Sequence, residues 1–83
     1  MQKIVFYTRK KCPLCDKAKR VLQEIQNEYP FELEEVDIEE SDALTEKYGL
    51  MIPVVEIAGE AVQYGHVDKM FIINRLQEKT LDL

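Results

Sequence analysis

Hydrophobic and polar positions change period several times along the chain, and each change marks an element. Ile4-Val5-Phe6-Tyr7 is an unbroken apolar run, β-branched and aromatic, which predicts a strand buried on both faces. After Cys12 the period becomes helical. Ala18, Val21, Leu22, Ile25 and Tyr29 fall on one face, with Asp16, Lys17, Lys19, Arg20, Gln23 and Glu24 on the other. Pro13 suits the first position of that helix, where its missing N–H would have no partner in any case. Cys12 then sits at or beside the N-cap and Cys15 in the first turn. Pro30 helps to stop the helix.

Phe31 to Ile38 predicts a second strand with imperfect alternation: Phe31 and Leu33 share one parity, Val36 and Ile38 the other. Either both faces are partly covered or the strand carries a bulge. Ser41 or Asp42 caps a short helix through about Tyr48, ended by Gly49. Val54 to Ala58 predicts a third strand, Gly59-Glu60 a tight turn and Ala61 to Tyr64 a fourth strand. Val67, Met70, Phe71, Ile73 and Leu76 line one side of a last helix, from Val67 to about Glu78. The order β-α-β-α-β-β-α predicts an α/β fold, a four-stranded mixed sheet flanked by helices. Its first β-α-β should be a right-handed parallel crossover, and its hairpin antiparallel.

Composition narrows the class. The 83 residues fit a single domain over 1–83. Apolar residues at 46% and charged residues at 33% argue against a disordered chain and a disulfide-rich miniature scaffold. The net charge of −5 argues against nucleic acid as a partner. No stretch reaches the roughly 20 apolar residues that span a bilayer, and the N-terminus lacks the apolar run and cleavage site of a secretory leader. The expectation is a cytoplasmic monomer without a membrane partner.

Cys12-Pro13-Leu14-Cys15 then carries the chemistry: a C-x-x-C pair at a strand-to-helix junction. A helix N-terminus offers partial positive charge and unbonded N–H groups, which favour an anion. Arg9, Lys10 and Lys11 add positive potential for electrostatic tuning. Thiolate is the nucleophile in exchange, so a depressed pKa at Cys12 raises its reactive fraction. Cys15, one turn in and less exposed, suits the resolving role. Other readings of the pair fit less well. A structural zinc site needs four ligands, and the chain offers two cysteines and one histidine, His66. A structural disulfide is disfavoured in the cytosol. A dimer could pool four cysteines on an iron–sulfur cluster, so a cluster carrier or a non-catalytic thioredoxin-like binding module stands as the alternative class.

The stretch Tyr7-Thr8-Arg9-Lys10-Lys11-Cys12-Pro13-Leu14-Cys15 resembles the active-site segment of the glutaredoxin family, within the thioredoxin-like fold. Val36-Asp37-Ile38, Lys47-Tyr48-Gly49 and Ile52-Pro53-Val54 extend the resemblance in order and spacing over nearly the whole chain. It implies a thiol–disulfide oxidoreductase of the electron-transport type, with Cys12 and Cys15 catalytic, no bound cofactor or metal, and glutathione as a candidate co-substrate. The implied partners are disulfide-containing proteins and a reductant, either glutathione or a thioredoxin-reductase-type system. It further implies a cis Ile52–Pro53 bond beside the cysteines, with the Ile52 backbone pairing to an extended substrate. Pro13 and Leu14 would meet that substrate, and Arg9 a glutathione carboxylate. The chain departs from the family in two places. Leu14 replaces the usual tyrosine, and Tyr64-Gly65-His66-Val67-Asp68 stands where the family has Gly-Gly-x-Asp-Asp. Gly65 and Asp68 are the remnants of that glutathione-binding stretch, which predicts weak use of glutathione.

Overall fold

A computed structural model describes residues 2–81. Its order is β1 (Lys3–Thr8), α1 (Pro13–Glu28), β2 (Glu32–Asp37), a 3₁₀ turn (Ile38–Glu40), α2 (Asp42–Tyr48), β3 (Val54–Ile57), β4 (Glu60–Tyr64) and α3 (Lys69–Leu81). The strands form one sheet in the order β2-β1-β3-β4. β1 and β2 run parallel, while β3 is antiparallel to both β1 and β4. Alternation along β1 decides which layer covers which face. Ile4, Phe6 and Thr8 are buried, whereas Val5 and Tyr7 are half-buried, so one face is sealed and the other only partly covered. That corrects the expectation of a strand buried on both faces: the second face is only half-buried.

The sealed face packs under α1 and α3. Ile4, Phe6, Val55 and Ile57 of the sheet meet Ala18, Leu22 and Ile25 of α1, and Ile72, Ile73 and Leu76 of α3. Leu22 and Ile72 have no exposed surface; truncating a leucine in such a place costs about 2–5 kcal/mol. On the opposite face a smaller cluster joins Ile38, Tyr48 and Val54, with Tyr7, Leu44 and Met51 packed against it.

The mixed parity of Phe31–Ile38 now has a cause. β1 and β2 pair without a register shift, from Lys3 with Glu32 to Thr8 with Asp37, so β2 carries no bulge against β1. Phe31 and Leu33 instead join the α1/α3 core and Ile38 the α2 core, on opposite faces. The sheet's bulge lies in the hairpin. Val55 pairs with Gln63 but Glu56 with Ala61, which leaves Val62 as the extra residue. The tight turn falls one residue earlier than expected, at Ala58-Gly59, with φ of 53° and 80°. Two consecutive positive φ values match the strand twist in a two-residue hairpin.

The short helix keeps its expected caps by a different route at its end. Ser41 Oγ accepts the Leu44 N–H at 3.2 Å. Gly49 closes α2 in right-handed geometry, φ −54°. Glycine is needed there because a Cβ would lie 2.5 Å from the Thr45 carbonyl oxygen.

The last helix differs most. It begins at Lys69, after Val67, and among its described side chains Ile72, Ile73 and Leu76 are buried. Met70 and Phe71, expected in the core, are 60% and 38% exposed. Val67 is buried ahead of the helix. Gly65 turns at φ 77°, and Asp68 Oδ2 accepts the Phe71 N–H at 2.9 Å, the N-cap geometry. This cap sets the helix phase.

Candidate active site at the start of helix α1

β1 delivers the chain to a short loop, Arg9–Lys11, that must reverse it into α1. Lys11 makes the reversal with φ 55°. A left-handed backbone at a non-glycine residue costs about 1–2 kcal/mol. Cys12 follows in an extended conformation as the N-cap of α1, and Pro13 takes the first helical position. Cys12 Sγ accepts the Cys15 N–H at 3.2 Å, so the sulfur takes one of the helix's unbonded donors. Cys12 is half-buried, while Cys15 is only 1% exposed. A disulfide joins them, with Cα atoms 5.2 Å apart. One sulfur at the surface and one beneath it, within bonding reach, can cycle between dithiol and disulfide.

On one flank of this turn lies a shallow groove. Leu14, Lys17 and Ala18 of α1 line it together with Gly65, His66 and Val67. Leu14 is 56% exposed. The Gly65 N–H donates to the Pro53 carbonyl at 2.8 Å, which ties this corner to the proline loop. The Ile52–Pro53 bond is cis, and Pro53 is buried. Ile52 packs against both cores, and Cys12 packs against the one that contains Cys15. The Ile52 N–H donates to the Tyr48 carbonyl at 3.1 Å. Asp68 caps α3 through one carboxylate oxygen, Oδ2, and its own N–H donates to Gln63 Oε1 at 2.9 Å. His66 is exposed.

On the other flank opens a cleft of about 430 Å³ against β2. Thr8, Arg9, Lys10 and Cys15 line it, as do Asp16, Lys19, Glu35, Asp37 and Glu40. Lys19 and Glu35 pair across it at 3.2 Å. Arg9 and Lys10 thus share a cleft with four carboxylates, and Lys11 does not line it. Tyr7 lies on the α2 face, its ring 4.7 Å from that of Tyr48. Burial, then the nearby Glu56 carboxylate, push the Tyr7 hydroxyl pKa up.

The sequence reading missed Gln63 and the carboxylates of the charged cleft. The Asp68 cap had a readable signal, an aspartate three residues before the first bonded N–H of a helix. The cleft had none, because its residues come from three separate segments. Among the described residues, no group of three or more His, Cys, Asp or Glu side chains is placed to hold a metal ion. No helix of the described residues is long and apolar enough to cross a membrane.

Residues 3–81 match the family model described as Glutaredoxin-like domain (DUF836). The chain belongs to this glutaredoxin-like family. It is also 31% identical over 80 residues to a thioredoxin of Methanocaldococcus jannaschii, covering 93% of this chain and 94% of that one. The X-ray structure of protein XcR50 from X. campestris superimposes with a TM-score of 0.77 at 25% identity, over 90% of this chain and 96% of that one. A mutant thioredoxin from Halobacterium salinarum shares the fold, with a TM-score of 0.68 at 20% identity over 93% of this chain and 73% of that one. The glutaredoxin-like chain described here therefore has a thioredoxin-like fold with a C-x-x-C disulfide at its first helix.

Proposed function

We propose that the protein is a thiol–disulfide oxidoreductase that reduces protein disulfides, and less readily mixed glutathione disulfides, through Cys12 and Cys15. The observation that carries this reading is the half-buried Cys12 sulfur at the helix N-cap, one turn from a buried partner. The Cys12 thiolate attacks one sulfur of the substrate disulfide. That S–S bond breaks, and the departing thiolate takes a proton from solvent. The Cys15 thiolate then attacks the Cys12 sulfur of the mixed disulfide and expels the second substrate thiol. Two electrons have passed to the substrate, and the protein holds the Cys12–Cys15 disulfide. An external dithiol or two glutathione molecules restore the reduced pair. The setting that suits this cycle is a reducing compartment such as the cytoplasm.

The neighbours of the pair support the substrate preference. The Ile52 N–H is already bonded to Tyr48, which leaves the Ile52 carbonyl as the group it offers an extended segment. Leu14 presents an apolar side chain between the cysteines. The γ-glutamyl end of glutathione needs an acidic partner for its amino group. The Asp68 carboxylate already gives one oxygen, Oδ2, to the cap of α3, and Tyr64, 62% exposed, adds bulk where paired glycines would let a ligand approach.

The test is to incubate the oxidised protein separately with glutathione and with a thioredoxin-reductase system, following the dithiol by thiol labelling. Reduction by the second, with slow reduction by the first, is the expected result. Turnover with glutathione equal to that of an ordinary glutaredoxin would overturn the preference, and no disulfide reduction at all would overturn the function.

A further inference from the structure

The two flanks of the cysteine turn balance their charge differently. Toward β2, Arg9, Lys10 and Lys19 share a cleft with four carboxylates, and Lys19 is paired with Glu35. Toward α3, the groove holds Lys17 and no carboxylate. Lys17 is exposed and forms no ion pair among the described residues. Its own helix offers it none. Side chains three or four positions apart are neighbours on a helix, and for Lys17 these are Pro13, Leu14, Arg20 and Val21. Arg20, by contrast, has Asp16 and Glu24 four positions to either side. Asp68, which follows the opposite wall of the groove, gives Oδ2 to the cap of α3 and forms no ion pair with Lys17. The turn that begins at Cys12 therefore presents an exposed leucine beside an uncompensated ammonium.

Building on the thiol–disulfide reading above, we propose that this groove selects protein disulfides whose cysteine lies in an extended acidic segment. Leu14 covers an apolar residue of that segment, and Lys17 pairs with a carboxylate two positions from it. The spacing follows from geometry. Side chains two residues apart in an extended chain share one side, about 6–7 Å apart. Neighbours at helical spacing such as Leu14 and Lys17 are about 5–6 Å apart at Cβ. Charge complementarity fixes the sign of the partner, because a cation opposite Lys17 would meet repulsion without relief from any carboxylate in the groove. The distribution of charge along the chain acts in the same sense. Six of its eleven lysines and arginines fall between Arg9 and Arg20, against one carboxylate, Asp16. The chain as a whole carries −5, so an acidic partner is repelled elsewhere and oriented toward the cysteine end. Lys17 is a specificity-determining residue and takes no part in the electron transfer.

The experiment uses three peptides, each with one cysteine held as a mixed disulfide with thionitrobenzoate, and follows release of the coloured thiol by the reduced protein. Each peptide is symmetrical about its cysteine, so either chain direction presents the same element. The first has leucine and, two residues further out, glutamate. The second has lysine in place of glutamate, and the third has glutamate moved one residue outward, onto the other side of the extended chain. The first should react roughly three- to tenfold faster than the second, with the third between them. Lys17→Gln should remove most of that preference and Lys17→Glu should invert it. Lys19→Gln, the same change of net charge on the other flank, should leave it in place. The preference should shrink at about 1 M salt. Equal rates for the first and third peptides, or equal effects of Lys17→Gln and Lys19→Gln, would overturn the proposal. A cysteine-free version of the first peptide, titrated into the isotope-labelled oxidised protein, reads the groove without any exchange step. The amide signals of Leu14, Gly65 and His66 should shift, and should not do so with the lysine peptide. Such shifts in a chain that reduces no disulfide would support the groove while overturning the functional reading.

Discussion

The two flanks of the first turn of α1 differ in both shape and chemistry. Toward α3 the surface is a small groove where exposed Leu14 meets the Gly65–Val67 corner, with Lys17 and His66 as its polar members. Toward β2 it is a larger cleft that mixes Arg9, Lys10 and Lys19 with Asp16, Glu35, Asp37 and Glu40. An apolar surface releases water when a partner covers it, whereas a cleft with both signs of charge loses hydration for each pair it forms. Under the proposed function, the Leu14 side is the flank for partner contact and the β2 side stays in solvent, with Cys12 between them.

The largest effect should come from the cysteines themselves. Cys12→Ser should abolish disulfide reduction, because no second exposed thiol replaces it. Cys15→Ser should instead accumulate a mixed disulfide with the substrate, visible by mass spectrometry. Accumulation in the reverse variant would exchange the two roles.

Next comes the apolar flank. Leu14→Asp should lower turnover of a protein disulfide about tenfold, the scale of one lost interface anchor. Reduction of a small aromatic disulfide should hardly change, and neither should the melting temperature, because Leu14 is 56% exposed. Equal losses on both substrates would remove the distinction between the flanks.

A smaller effect separates structure from ligand at the corner. Asp68→Ala should cost about 1 kcal/mol of stability through the lost cap, read from the urea midpoint. Its apparent affinity for glutathione should stay the same. A weakened glutathione response without destabilisation would return Asp68 to the ligand site. The smallest effect belongs to the charged flank. Lys19→Ala, which breaks the exposed pair with Glu35, should change stability by no more than about 0.5 kcal/mol.

Much of this architecture is legible in the sequence. The apolar run Ile4–Tyr7, the Pro13 start and the C-x-x-C spacing each follow a local rule, and local rules place β1, α1 and the cysteine pair. The phase of α3 is not legible in that way. Positions 67, 70, 71, 73 and 76 form a helical stripe, but 72, 73 and 76 also fall on one helical face. The choice between them depends on where the helix is capped, which Asp68 and the Gly65 turn decide. The separation of Arg9 and Lys10 from Lys11 is hidden for a related reason. It follows from a left-handed backbone at a lysine, a residue type that carries no conformational signal for it. At the corner before α3, the positive φ of Gly65 and the cap from Asp68 Oδ2 belong to the backbone path, which no local pattern announces.

The strand order leaves β2 and β4 as open borders of the sheet. Unpaired backbone groups along such a border can template the addition of strands from other molecules, and natural proteins blunt them. Here the two borders are blunted by different means. Glu32, Glu34 and Glu35 are exposed along β2, with Lys3 paired to Glu34 and Lys19 to Glu35, so a strand added at that border would have to displace charged side chains. β4 has a single carboxylate, Glu60, and relies on its bulge at Val62 to break the flat register that a stacking strand would need. Charged side chains along one border and a bulge along the other are the two devices by which this small, half-covered sheet discourages edge-to-edge stacking.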